Sequence, residues 1–119
     1  MIDRQRLKRL IAEEEARFIA EHPCSQALFE RAQDHLLAGV PMNWMVRWAS
    51  PFPLFVRAGR GARFTDVDGR EYLDLCLGDT GAMTGHAPPA AVAAIAEQAA
   101  RGLTFMLPVE DVLWVGAEL

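Results

Sequence analysis

Residues 54–77 read LFVRAGRGARFTDVDGREYLDLCL, and this stretch decides the fold class. Phe55-Val56-Arg57-Ala58 predicts a short strand, and Ala62-Arg63-Phe64-Thr65 a second. Asp66-Val67-Asp68-Gly69 supplies the next turn, because Asp-Gly accommodates positive φ. From Tyr72 to Leu77 the chain returns as a strand. Leu73, Leu75 and Leu77 alternate with Tyr72, Asp74 and Cys76, the period of two that gives a strand two unlike faces. On that pattern Cys76 is a buried strand cysteine rather than a nucleophile.

The flanks of this hairpin are helical, which makes the chain α/β. Asp3 is placed to cap a first helix running to about Glu21, with Leu7, Leu10, Ile11, Phe18 and Ile19 as a partial apolar stripe. Pro23 separates it from a second helix. Ser25 is read as that helix's N-cap, Leu28, Phe29, Ala32, Leu36 and Leu37 as its apolar face, and Gly39 as its stop. Val40 to Pro53 carries three prolines, two tryptophans and Arg47. Prolines at that density break regular structure, yet the run is too apolar for a free linker. It is expected to pack as an ordered loop that lines a binding site or covers a core.

Downstream, Gly78 to His86 is glycine-rich, with His86 expected to cap the loop structurally. Pro88 or Pro89 opens a third helix that Gly102 ends. Val109 to Leu119 begins a fourth, with Val112, Leu113 and Leu119 expected to be buried. Four segments follow: 1–38 helical, 39–53 a Trp/Pro-rich loop, 54–77 antiparallel strands, and 78–119 a Gly-rich loop with helices.

Composition narrows the function. The chain has 119 residues, a net charge of -4, 51% hydrophobic residues and two cysteines. That is too apolar and too weakly charged for a disordered chain. Its acidic balance argues against nucleic acid as the partner. No run reaches the ~20 apolar residues of a membrane span. The charged start to Arg9 leads into Glu13-Glu14-Glu15 rather than a signal's apolar core, so the cytoplasm is expected. The cysteines make neither a disulfide framework nor a zinc spacing. With Gly69 at the sixth position of a calcium loop, Phe64 and Leu75 would fall where oxygen ligands are required, so that reading fails. The glycine-rich loop matches no phosphate-binding pattern. His22, His35 and His86 have no partners at metal-ligand spacing, so no metal is expected.

The order of these motifs resembles the N-terminal part of class III pyridoxal-phosphate-dependent aminotransferases. It is most similar to the glutamate-1-semialdehyde 2,1-aminomutases and the related β-amino-acid transaminases. Gly59-Arg60-Gly61-Ala62, then Asp66-Val67-Asp68-Gly69, Tyr72 and Asp74, matches the family's entry hairpin. Gly85-His86, the Pro88-Pro89 helix and Gly102-Leu103-Thr104-Phe105 continue in register. The resemblance spans roughly Glu21 to Leu119, firmest from Ser25. It implies the first helices and small-domain hairpin of a fold-type I transferase, ahead of the main parallel sheet.

Three site residues follow from the resemblance. Aminomutases carry an Asn-Ser-Pro-Val-Arg-like run after a Gly-Val, and its Arg binds the substrate carboxylate. Asn43-Trp44-Met45-Val46-Arg47 after Gly39-Val40 puts Arg47 on that position. A planar guanidinium suits the task, since it donates two parallel hydrogen bonds to a carboxylate. Trp44 replaces the small Ser of that run, and Asp79 stands where an aromatic residue usually precedes Gly-His. Both departures point to a specificity different from the aminomutases, on an amino acid or amine donor and a keto acid or aldehyde acceptor. The resemblance also implies a homodimer, with the Leu103–Pro108 connector near the active site. The cofactor, pyridoxal 5'-phosphate, needs an attaching lysine and an acid at its pyridine nitrogen. Eleven of the twelve basic residues are Arg, and the single lysine, Lys8, sits in the first helix between Arg6 and Arg9. No catalytic or cofactor-binding residue is therefore assigned in this chain, which reads as part of a longer enzyme. The alternative is a non-catalytic assembly module gripping a partner through its N-terminal helices and Trp-rich loop. Either way, Trp44, Trp48, Leu73 and Leu75 are expected to expose apolar surface.

Overall fold

A computed structural model describes residues 3–119; Met1 and Ile2, where segment 1–38 begins, lie outside the described residues. The chain divides between His86 and Ala87 into two units.

In the first unit, α1 (Arg4–Glu21) begins where Asp3 accepts the backbone N–H groups of Gln5 and Arg6, each at 3.0 Å. These are two of the orphan donors at a helix start, so the expected cap is present. The next helix, α2 (Pro23–Ala32), starts two residues earlier than Ser25. Pro23 takes the first helical position, where a missing N–H costs nothing. Ser25 is inside the helix and fully buried, and so is not its N-cap.

The helix also stops at Ala32, short of Leu36 and Leu37. Leu37–Gly39 forms a single 3₁₀ turn instead, with Ala38 and Gly39 left-handed. Gly39 is required there. At φ 71° a Cβ would stand 2.8 Å from the Phe29 ring. His35 lies in the intervening turn.

Residues 40–53 are ordered, with one 3₁₀ turn at Asn43–Val46. They reach the core through Val40 and Phe52 rather than through their tryptophans. Val40 and Phe52 are the buried apolar residues of the described chain. The Phe52 ring lies 5.0 Å from that of Phe18 on α1.

Three strands follow: β1 (Val56–Arg60), β2 (Arg63–Asp66) and β3 (Glu71–Leu73), antiparallel in the order β1-β2-β3. Phe64 pairs with Tyr72, and their rings stack at 5.0 Å. Gly69 has φ 84° in the Asp-Gly turn, as predicted.

The third strand is shorter than the Tyr72–Leu77 alternation predicts. Asp74 Oδ1 accepts the N–H groups of Cys76 and Leu77, each at 2.9 Å. That local turn takes both amides off the ladder. Cys76 is exposed, and Leu75 is 87% exposed. Apolar alternation could not register this competition, because it counts side chains and not backbone partners.

The second unit contains α3 (Pro89–Ala99) and α4 (Asp111–Glu118). Pro88 is the N-cap and Pro89 the first helical residue of α3. Gly102, at φ 106°, admits no Cβ, which would meet the Phe105 ring at 2.7 Å. Neither helix buries a residue. Val112, Leu113 and Leu119, expected inside, are exposed. No helix among the described residues is long and apolar enough to cross a membrane.

Candidate functional site

The polar chemistry of the first unit is gathered where the hairpin meets the helices. Asp68, on the turn between β2 and β3, caps α2 from across the chain. Its Oδ1 accepts from the Cys24 N–H at 2.7 Å, and its Oδ2 from the Ser25 N–H at 3.0 Å and the Ser25 hydroxyl at 2.8 Å. Ser25 Oγ in turn accepts the Phe55 N–H at 3.3 Å. Burial works to raise the Asp68 carboxyl, but these donors outweigh it and hold it below the usual carboxylate value. The same carboxylate, accepting a hydrogen bond from the Cys24 thiol, pushes that thiol up.

Beside this cap lies a buried relay. Asp66 is fully buried and accepts the Arg70 N–H and the Tyr72 hydroxyl, each at 2.8 Å. His22 Nε2 lies 2.7 Å from the same hydroxyl oxygen, and His22 Nδ1 lies 2.6 Å from the Phe18 carbonyl. A carbonyl only accepts, so Nδ1 carries a proton. Desolvation, then the Asp66 hydrogen bond, raises Tyr72 from its ordinary value to about 12. No buried side-chain polar atom among the described residues lacks a partner. This relay joins residues fifty positions apart and gives the sheet its attachment to the α1–α2 junction.

A second pair closes the glycine-rich loop. His86 Nε2 lies 2.6 Å from Asp74 Oδ2, and the His86 and Gly61 backbones pair in both directions at 2.8 and 2.9 Å. The His86 hydrogen bond, then the Leu77 amide, lowers Asp74 from the usual carboxylate value. His86 therefore caps the loop, as expected. The loop itself is strained: Leu77, Gly78, Asp79 and Thr80 all have φ between 52° and 80°. Three of these are not glycine, and each costs about 1–2 kcal/mol in the left-handed region.

The sequence-predicted residues occupy two places. Trp44 lies in the 3₁₀ turn Asn43–Val46 and Arg47 directly follows it. The Trp44 and Trp48 rings meet edge-on with centroids 6.3 Å apart, and they remain 45% and 62% exposed. Arg47 is exposed and makes no ion pair among the described residues. Asp79 is exposed on the strained loop, and no hydrogen bond or ion pair links it to Arg47. A cleft of about 670 Å³ lies between α1 and residues 49–51, lined by Leu10, Ile11, Phe18 and Pro51, but Arg47 and Asp79 are not on its walls.

The described residues do not fit a covalent pyridoxal-phosphate site, since Lys8 is exposed on the outer helix α1. No group of three or more His, Cys, Asp or Glu among them is placed to hold a metal ion. The relay and the Asp68 cap escaped sequence reasoning. The Asp-Val-Asp-Gly run was its one signal, legible as a turn but not as one carboxylate, Asp68, meeting the start of α2 and another, Asp66, meeting Tyr72.

Comparison with known proteins agrees with the fold and the motif order. The family described as aminotransferase class-III matches residues 44–112. Glutamate-1-semialdehyde 2,1-aminomutase of Thermoplasma volcanium is 40% identical over 87 residues, 73% of this chain and 20% of that protein. The enzyme of the same name from Sorangium cellulosum is 44% identical over 91 residues, 74% of this chain against 20% of its own length. Among solved structures, a glutamate-1-semialdehyde aminomutase from Pseudomonas aeruginosa superposes with TM-score 0.91 at 50% identity, covering 98% of this chain and 26% of that one. An omega-transaminase from Sphaerobacter thermophilus covers 72% of this chain and 19% of its own, at TM-score 0.65 and 36% identity. The helices and three-stranded sheet match the N-terminal part of that transferase fold. The chain spans about a fifth of the length of the curated relatives it matches.

Proposed function

Because the chain belongs to the class-III aminotransferase family, which depends on pyridoxal 5'-phosphate, we propose that the whole protein moves an amino group between an amino acid or amine and a keto acid or aldehyde, and that this chain's part is to read the substrate. The transfer runs between two molecules or, as the name aminomutase indicates for those relatives, within one. Arg47 takes the substrate carboxylate through its two parallel N–H donors. Trp44 walls the side of that position, and Asp79 shapes specificity from the loop after β3. Within this reading residues 39–53 form the substrate-site loop, and residues 78–119 lead toward the cofactor-binding domain. The whole enzyme is a cytoplasmic homodimer; the two free cysteines suit a reducing compartment.

The observation that carries this reading is the state of Arg47. A guanidinium that no carboxylate among the described residues neutralises, held at the end of a short helical turn, is available to an external one. The test uses the whole, cofactor-loaded enzyme with Arg47→Ala and Arg47→Lys. Loss of a hydrogen-bonded charge pair of about 1.5–3 kcal/mol raises KM for a carboxylate-bearing donor roughly 10- to 150-fold in Arg47→Ala. Arg47→Lys keeps the charge without the fork and falls between. A plain amine donor is affected by neither. Equal losses on amino acid and amine, or no loss on either, refute the assignment.

A further inference from the structure

The loop between β3 and His86 is held in a conformation its residues would not choose. Leu77, Asp79 and Thr80 are left-handed without being glycine, and Thr80, β-branched at φ 80°, is a genuine outlier. Such backbone persists only where its surroundings over-determine it. The determinants converge on two side chains. Asp74 spends one oxygen on the amides of Cys76 and Leu77, where the loop begins. Its other oxygen meets His86 Nε2 at 2.6 Å, where the loop ends. His86 is itself anchored. Its backbone pairs with Gly61, and its ring lies so close over β1 that a Cβ at Gly59 would stand 2.8 Å from it. Gly85, at φ 88°, lets the chain approach Gly61 where a Cβ would fall 3.1 Å from its Cα.

We propose that Asp74 and His86 form a clamp across the two ends of the loop, and that both are positioning residues for Asp79, holding it toward the substrate. This rests on the reading of Asp79 as a specificity residue given above. Neither clamp residue need touch substrate. Both Asp74 oxygens are engaged within the loop, and the His86 ring is wedged between Gly59 and Asp74. The His86 contact also holds the Asp74 carboxyl below the usual carboxylate value.

The test uses the whole, cofactor-loaded enzyme and two independent perturbations. His86→Ala removes one arm, whereas Gly59→Ala leaves both arms in place and pushes the ring off Asp74. Hydrogen exchange is followed at the amides of Asp79, Gly81, Ala82 and Gly85, all of which bond within the loop. Both variants are expected to speed these amides tenfold or more while β1 and β2 amides stay within twofold. KM for the amino donor rises about tenfold with kcat within twofold, since only positioning is lost. His86→Gln, which restores a donor toward Asp74, recovers most of both effects. Unchanged loop exchange in the two disrupting variants overturns the clamp. Faster exchange with unchanged KM overturns its role in positioning Asp79. The proposal is separable from that for Arg47. If Arg47→Ala leaves KM intact while His86→Ala raises it, the carboxylate assignment fails and the clamp stands.

Discussion

Tyr72→Phe removes a single oxygen and leaves the ring that stacks on Phe64. That oxygen bridges His22 and Asp66, of which the first is 4% exposed and the second fully buried. Without it, one Asp66 oxygen loses its donor and His22 Nε2 faces a ring edge. A buried polar group left unpaired costs about 1–3 kcal/mol, and charged groups cost more. Two such groups set the range at about 2–6 kcal/mol. His22 Nε2 already stands 3.7 Å from Asp66 Oδ2 and can move to pair with it directly, so the loss falls at the lower end, about 2–3 kcal/mol. At a factor of ten per 1.4 kcal/mol, amides that open with the sheet exchange roughly 30- to 150-fold faster. Hydrogen exchange at Phe64 and Tyr72 measures this, with α3 of the second unit as the internal control. A change under about threefold refutes the claim that the hydroxyl ties the sheet to the helices. The same residue sets an alkaline signature. The folded chain keeps the Tyr72 proton up to about 12, whereas an unfolded tyrosine releases it near 10. Between those values the native state binds more protons, so stability falls as pH rises, and the Phe variant lacks that slope.

Two further outcomes follow. Asp68 and Asp74 both sit below the ordinary carboxylate value of 3.8. Their stabilisation is complete above that value and is lost as pH falls through their lower folded values, so Asp68→Asn should flatten the acid limb of an exchange-versus-pH curve at the α2 amides. Gly39→Ala introduces a Cβ 2.8 Å from Phe29 at φ 71°, whereas Gly61→Ala meets nothing within 4 Å at φ 57°. The first should lose about 1 to 3 kcal/mol more than the second, read by denaturant midpoint, because only it adds overpacking to backbone strain.

Much of the local structure was legible because its causes lie within a few residues. Asp3 caps α1 from its own chain neighbourhood, Asp-Gly turns the hairpin at Gly69, and Pro89 opens α3. The errors share a cause. Ser25 has the side chain of an N-cap, but Pro23 opens the helix two residues earlier and Asp68 meets the first-turn amides of Cys24 and Ser25 from the hairpin. Leu75 and Leu77 continue the alternation, but Asp74 redirects the backbone underneath them. Helix α2 should reach Leu37 by periodicity, yet it ends at Ala32 and yields to a left-handed turn packed on Phe29. In each case a polar group or a close contact outcompeted a pattern built from apolar spacing.

The sequence by itself determined the order of the main elements and the family, and it carries a single lysine, Lys8. Those properties depend on residue identity and on spacing along one dimension. The different partners of two neighbouring carboxylates were decided by the tertiary structure. Asp66 and Asp68 lie two residues apart in a turn, yet one faces Tyr72 and His22 and the other the start of α2. A buried carboxylate is tolerable only where donors meet it. Tyr72 meets Asp66 within the hairpin, but His22, Cys24 and Ser25 come to these residues only once the hairpin is seated on the helices.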